Sequence, residues 1–128
     1  MDTSTIINIV LVALAALFLY SRLAPVKGLK NLPSQDFNSA LQGTKEGMLI
    51  DVREPGEFKG GFIPGARNIP LSQLARRLDE IPKDKELYLY CRSGMRSKTA
   101  AKLLAKNGYR KLAHLQGGIG AWSGKVSR

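Results

Sequence analysis

The sequence predicts one α/β domain with a central, mainly parallel sheet flanked by helices on both faces, preceded by a single transmembrane helix. Three observations predict it. Residues 6–20 read IINIVLVALAALFLY, and no side chain from Thr3 to Ser21 is charged. After about residue 30, short apolar runs of strand length alternate with segments of helical periodicity, the pattern of strands joined by helical crossovers. The part that follows the apolar segment has about a hundred residues, enough for one hydrophobic core and not for two domains.

The apolar segment comes first. A helix over about residues 4–21 spans roughly 28 Å, close to the hydrocarbon thickness of a bilayer. Tyr20 falls where interfacial aromatics sit. A cleaved signal peptide fits less well, because no Lys or Arg precedes the run, Arg22 follows at once, and Pro25 stands where cleavage is awkward. Arg22, Lys27 and Lys30 flank the C-terminal side only. The positive-inside rule then predicts a single-pass protein of the cell (inner) membrane with its soluble domain on the cytoplasmic side. Residues 1–30 read as anchor and short basic linker, and residues 31–128 as the domain.

Within the domain, PSQDFNSALQ has Ser34 as a cap signal and Phe37 and Leu41 at i, i+4, which predicts a short helix. GMLIDV predicts a strand from Met48 to Val52. The Gly- and Pro-rich passage REPGEFKGGFIPGARNIP is turn-rich, with ARNI a candidate short strand. LSQLARRLDEI places Leu71, Leu74, Ala75, Leu78 and Ile81 on one helical face, and Pro82 ends that helix. KELYLYC predicts a second strand with apolar residues on both sides, hence a central, fully covered one. SKTAAKLLAKNG predicts a helix from near Ser97 to Gly108. YRKLAHL predicts a further strand, and QGGIGAW a tight turn into a last short helix.

The formal charge is +10, and the basic residues are scattered. No nucleic-acid motif accompanies them, and no nucleic-acid partner is expected. Lys98, Lys102 and Lys106 share one helix face, read here as a solvated face. One cysteine and one histidine do not make a zinc site by the usual ligand arithmetic, and neither metal nor cofactor is expected. A lone cysteine forms no internal disulfide, so the fold does not depend on oxidation.

That cysteine, Cys91, stands in YCRSGMRS at the carboxyl end of the central strand, where α/β sheets carry their binding crevice. A strand, a turn and a helix start make a cup of backbone N–H groups, and Gly94 allows a conformation closed to other residues. The helix dipole, Arg92 and Arg96 each favour an anionic sulfur. A small buried hydrophobe does not need a glycine and two arginines beside it. The loop therefore predicts a nucleophilic cysteine that takes a group from an anionic donor.

CRSGMRS resembles the active-site loop of rhodanese-domain sulfurtransferases, Cys-x-x-Gly-x-Arg followed by Ser or Thr. LIDVREPGEFKGGFIPGARNIPL (49–71) is similar to that family's Asp-Val-Arg-Glu and Gly-His-Ile-Pro-Gly-Ala passages, and LQGGIGAW (115–122) to its closing Gly-Gly and Trp. The resemblance covers about residues 32–122. It implies a rhodanese-like domain and a two-step sulfur transfer through a Cys91 persulfide. The backbone of Arg92, Ser93, Gly94, Met95, Arg96 and Ser97 would hold the added sulfur, and the Arg92 and Arg96 side chains would draw in the donor. Asp51 and Arg53 are expected to support the loop structurally as a salt-bridge or capping pair. The implied partners are a small anionic sulfur donor, thiosulfate or a persulfide, and a thiol or protein acceptor, a membrane-bound one included. Phe62 replaces the family's usual His, and His114 is read as structural.

Two other readings stand beside this one. Phosphatases and arsenate reductases of the same fold have five residues between Cys and Arg, against four here, and arsenate reduction needs a resolving thiol that this chain lacks. A non-catalytic, membrane-tethered binding module would not need the cysteine and its loop.

Overall fold

The computed structural model describes residues 1–128. An apolar helix, α1 (Thr3–Leu23), leads into a five-stranded sheet. The strands are β1 (Leu29–Leu32), β2 (Gly47–Asp51), β3 (Arg67–Asn68), β4 (Glu86–Tyr90) and β5 (Leu112–Leu115). They lie in the order β1-β5-β4-β2-β3, and every pairing is parallel. The helices of the domain are α2 (Ser34–Gly43), α3 (Pro55–Lys59), α4 (Leu71–Leu74) and α5 (Met95–Lys106), with 3-10 turns at Leu78–Glu80 and Ile119–Ala121.

β4 is central because both its faces are apolar. Leu87 and Leu89 join Ile50 and Leu112 on one face, covered by Leu74 of α4 and by Ala100, Ala101 and Leu104 of α5. Tyr88 and Tyr90 join Leu49, Ala113 and Leu115 on the other, covered by Phe37 of α2. Burying a strand on both sides is what a parallel sheet with helices on each face requires. Phe37 is wholly buried and meets Tyr88 and Trp122 edge to face, with ring centroids 5.6 Å and 6.1 Å away. None of the residues of α1 is buried in the protein, and only its last turn meets the domain, through α5.

Four local expectations change. The single helix over 71–81 is interrupted: α4 ends at Leu74, Ala75 is exposed, and a 3-10 turn follows. Tertiary contacts outweigh the helical pattern here. Tyr109 donates its hydroxyl to the carbonyls of Leu78 (3.0 Å) and Ile81 (2.7 Å), while Arg77 pairs with Glu80 at 2.6 Å. Leu74 and Ile81 are buried all the same. Ser34 does not cap α2. Pro33 holds the cap position, and Ser34 Oγ accepts the Ser123 N–H at 3.0 Å, tying α2 to the C-terminal segment. α5 begins at Met95, two residues before Ser97, which shortens the loop after Cys91. Leu29–Leu32, at the border between linker and domain, is an edge strand whose partner residues in β5 lie 83 positions on in sequence, Leu29 opposite Leu112 and Leu32 opposite Leu115.

Candidate active site

Cys91 follows the last residue of β4, and α5 opens at Met95. Only Arg92, Ser93 and Gly94 lie between. So tight a reversal needs a left-handed residue, and Gly94 supplies it with φ 105° at the helix N-cap. Its N–H donates to Cys91 Sγ at 3.0 Å. Met95, Arg96 and Ser97 form the first turn of α5, where backbone N–H groups have no carbonyl one turn back. The sulfur therefore sits against the positive end of a helix dipole.

A second turn packs against this one. Ile119 N–H donates to the Cys91 carbonyl at 2.9 Å, and Gly120 N–H to the Arg92 carbonyl at 3.3 Å. Just before them Gly118, at φ 65°, passes so close that a Cβ there would overlap the Arg92 carbonyl and Ser93 N. The closing Gly-Gly of the sequence is thus the outer wall of the cysteine loop.

Asp51 and Arg53 brace the other side. Asp51 lies opposite Tyr90 in the β2–β4 ladder and is fully buried. Its carboxylate accepts Arg53 Nη2 at 2.7 Å and Nε at 3.0 Å, and also the Arg53 backbone N–H. Arg53 Nη2 donates onward to the Gly61 carbonyl at 2.6 Å. The Tyr90 hydroxyl accepts the Ile63 N–H at 3.1 Å. The Asp-Val-Arg and Gly-Phe-Ile-Pro passages are therefore clamped together beside the residue that precedes Cys91. Phe62, in the position where the resemblance leads one to expect a histidine, stacks on Phe58 at 4.3 Å between centroids.

The two loop arginines differ. Arg96 donates both terminal nitrogens to Glu57, at 2.6 and 2.9 Å, and that bond holds the Glu57 carboxyl down at about 2. Arg96 is thus a bidentate tie between α5 and α3, not a free cation. Arg92 is exposed, makes no ion pair, and lines a hollow with Glu57, Gly60, Gly61, Ile119 and Gly120.

The contact that escapes sequence reasoning is that of His114, read there as structural, with the loop residue Ser97. Ser97, wholly buried, lies with its Oγ 3.6 Å from Cys91 Sγ, 3.1 Å from the Gly94 carbonyl and 2.9 Å from His114 Nδ1. His114 is buried on β5, and burial followed by the nearby Lys98 charge pulls its pKa below the usual 6.5. It is therefore neutral near pH 7. A continuous chain runs from imidazole through hydroxyl to sulfur. No spacing in the sequence signals it, since β5 and α5 meet only through the sheet.

The sequence and fold were compared with known proteins. The family model described as "Rhodanese-like domain" matches residues 34–125. A Bacillus subtilis protein named "Uncharacterized protein YqhL" is 46% identical over 121 residues, which cover 92% of this chain and 94% of the relative. A protein of Allochromatium vinosum named "Sulfurtransferase" is 39% identical over 92 residues, covering 72% of this chain and 86% of its own length. The crystal structure of a rhodanese-related protein from Thermoplasma volcanium superposes with a TM-score of 0.69 at 28% identity, covering 77% of this chain and 97% of that one.

Proposed function

Since the chain belongs to the rhodanese-like domain family, we propose that it is a sulfurtransferase that carries a sulfane sulfur on Cys91 between an anionic donor and a thiophilic acceptor. The observation that carries this reading is the placement of Cys91 Sγ at the first turn of α5, with the Gly94 N–H aimed at it from 3.0 Å.

In the first half-reaction the anionic sulfur of Cys91 attacks the outer sulfur of thiosulfate. The Sγ–S bond forms, the S–S bond of thiosulfate breaks, and sulfite leaves with the electron pair. The terminal sulfur of the resulting persulfide is an anion, and the N–H groups of the loop and of the first turn of α5 stabilise it as an oxyanion hole stabilises oxygen. In the second half-reaction an acceptor thiolate, or cyanide, attacks that terminal sulfur, and Cys91 departs as the thiolate. Only about 1% of Cys91 is exposed, so a narrow terminal sulfur suits the loop better than a bulky electrophile. Arg92, the exposed unpaired arginine of the loop, is the cation that draws in the donor.

Phosphate transfer is disfavoured by Arg96. A phosphatase loop directs its closing arginine at the bound oxyanion, and here both terminal nitrogens of Arg96 are bound to Glu57.

The test uses the full chain in detergent. Incubation with thiosulfate is expected to add one sulfur, about 32 Da, to the intact mass, on the peptide containing Cys91, and cyanide should remove it with formation of thiocyanate. Absence of the adduct with both thiosulfate and a low-molecular-weight persulfide overturns the proposal.

His114 orients Ser97 in this scheme. Ser97 Oγ donates to the Gly94 carbonyl, and Nδ1–H donated to Ser97 Oγ then fixes the hydroxyl beside the sulfur. His114→Ala is expected to slow sulfur loading by about 3- to 10-fold, the worth of one hydrogen bond between neutral groups. His114→Asn, which returns an N–H near the Nδ1 position, should recover most of the rate. The same residue affects acid stability. Its folded-state pKa is lowered, so the unfolded chain binds more protons, and stability falls as pH drops below about 6.5. Denaturant melts between pH 7.5 and pH 5 should show a smaller loss for His114→Asn than for the wild type.

We further read α1 as a membrane anchor with the domain on the cytoplasmic side. The helix is 21 residues long, uncharged from Thr3 to Ser21 and unburied, its basic flank is C-terminal, and the similarity to the Bacillus subtilis relative covers enough of the chain to run into it.

A further inference from the structure

The end of α1 is held by α5. Lys102 Nζ donates to the Ser21 carbonyl at 2.7 Å, and Lys98 Nζ lies 3.4 Å from that of Arg22. These carbonyls belong to the last turn of α1, where they have no partner one turn on and where the helix dipole is negative. Met95, Lys98, Lys102 and Lys106 follow one another at spacings of three and four residues, so they form one face of α5. α5 contains no acidic residue. Met95, its first residue, is 72% exposed.

If Thr3–Leu23 spans the bilayer, Ser21 and Arg22 lie at the edge of the hydrocarbon. A hydrogen bond from a lysine leaves the α5 backbone about one side-chain length, ~6 Å, from that edge, and the headgroup layer of each leaflet is itself about 5–8 Å thick. The face of α5 then lies within or against the headgroups. Each ammonium has three protons, and a carbonyl takes one, which leaves two for phosphate oxygens. Farther along α5, Lys27, Lys106 and Arg110 line a hollow with Gly28 and Ala105 and no carboxylate.

We propose that the Met95–Lys98–Lys102–Lys106 face of α5 binds anionic phospholipid headgroups and holds the cysteine loop at the membrane surface. This rests on the anchor reading of α1. It assigns a partner to a face that periodicity alone reads as merely solvated, and it gives the enzyme a fixed attitude. The helix whose first turn cups the sulfur lies along the bilayer, so the persulfide is presented to acceptors in or on the same leaflet.

The test reconstitutes the full chain into vesicles of phosphatidylcholine alone or mixed with phosphatidylglycerol. Outward-facing molecules are acetylated with a membrane-impermeant reagent, and each lysine is read by mass spectrometry. Labelling of Lys98, Lys102 and Lys106 is expected to be about fivefold lower in the anionic vesicles, and the difference should vanish in ~1 M salt, where the screening length is about 3 Å. Lys45 and Lys125 serve as internal controls. In Lys102→Gln/Lys106→Gln the lipid-dependent protection of Lys98 should shrink. Equal labelling in the two lipids by protein that still floats with the vesicles overturns the headgroup face and leaves the anchor standing. Protein that floats with neither vesicle overturns the anchor, and the proposal with it.

Discussion

Gly118→Ala is expected to abolish sulfur loading and to destabilise the domain by about 3 kcal/mol or more. Two costs combine. The residue sits at φ 65°, a conformation that a side chain disfavours, and the new methyl would overlap the Arg92 carbonyl and Ser93 N. Neither obstacle is a flexible side chain. Both are backbone atoms of the cysteine loop, which is pinned from the same turn by Ile119 N–H and Gly120 N–H. Relief therefore requires the loop to move, and with it the Gly94 N–H that faces the sulfur. For a domain of roughly a hundred residues such a loss lowers Tm by about 10 °C or more. Gly43→Ala is the matched control, since a Cβ there meets nothing within 4 Å. Thermal unfolding and the mass-shift assay on both variants check this. A Gly118→Ala protein that melts and loads like Gly43→Ala would show that the loop does not depend on this wall.

Asp51→Ala is expected to cost about 3–5 kcal/mol, because it leaves a guanidinium buried without its counter-charge. Asp51 is wholly buried and the Arg53 side chain is 8% exposed, so water replaces little of what is lost. The Gly61 carbonyl would remain as the guanidinium's only hydrogen-bond partner. The consequences reach the site, since Arg53 holds the Gly61–Ile63 passage against Tyr90, the residue before Cys91. Removing both charges with apolar residues of similar volume, Asp51→Leu/Arg53→Met, should be less damaging than the single change. Denaturant melts of the two variants distinguish an uncompensated charge from a pair that is stabilising in itself. A double variant weaker than Asp51→Ala would point to the latter.

Much of the architecture is legible in the chain because it is written in local periodicity. Tyr88 and Tyr90 alternate with Leu87 and Leu89, so β4 had to be covered on both faces, and it is. The turn signals around YCRSGMRS put Cys91 at a strand's carboxyl end beside a helix start, and the structure places it there. The uncharged run from Thr3 to Ser21 marks α1 without reference to anything else.

What periodicity does not contain is who meets whom across the fold. The pattern from Leu71 to Ile81 is helical, yet Tyr109 takes the Leu78 and Ile81 carbonyls and the helix stops at Leu74. Leu29–Leu32 carries a lysine and an asparagine and becomes a strand only because β5 offers it an edge. Arg96 looks like a second free charge until α3 brings Glu57 within 2.6 Å. His114 is an unremarkable residue in a strand until the sheet sets β5 under α5 and Ser97 joins it to the sulfur. By itself the sequence determined the fold class, the apolar helix and the position of Cys91 at the end of a strand, because each depends on residues near one another in the chain. The pairing of charges, the wall behind the loop and the histidine beside it were decided only by tertiary structure, because hydrogen bonds and ion pairs act over about 3 Å in space and have no period in sequence.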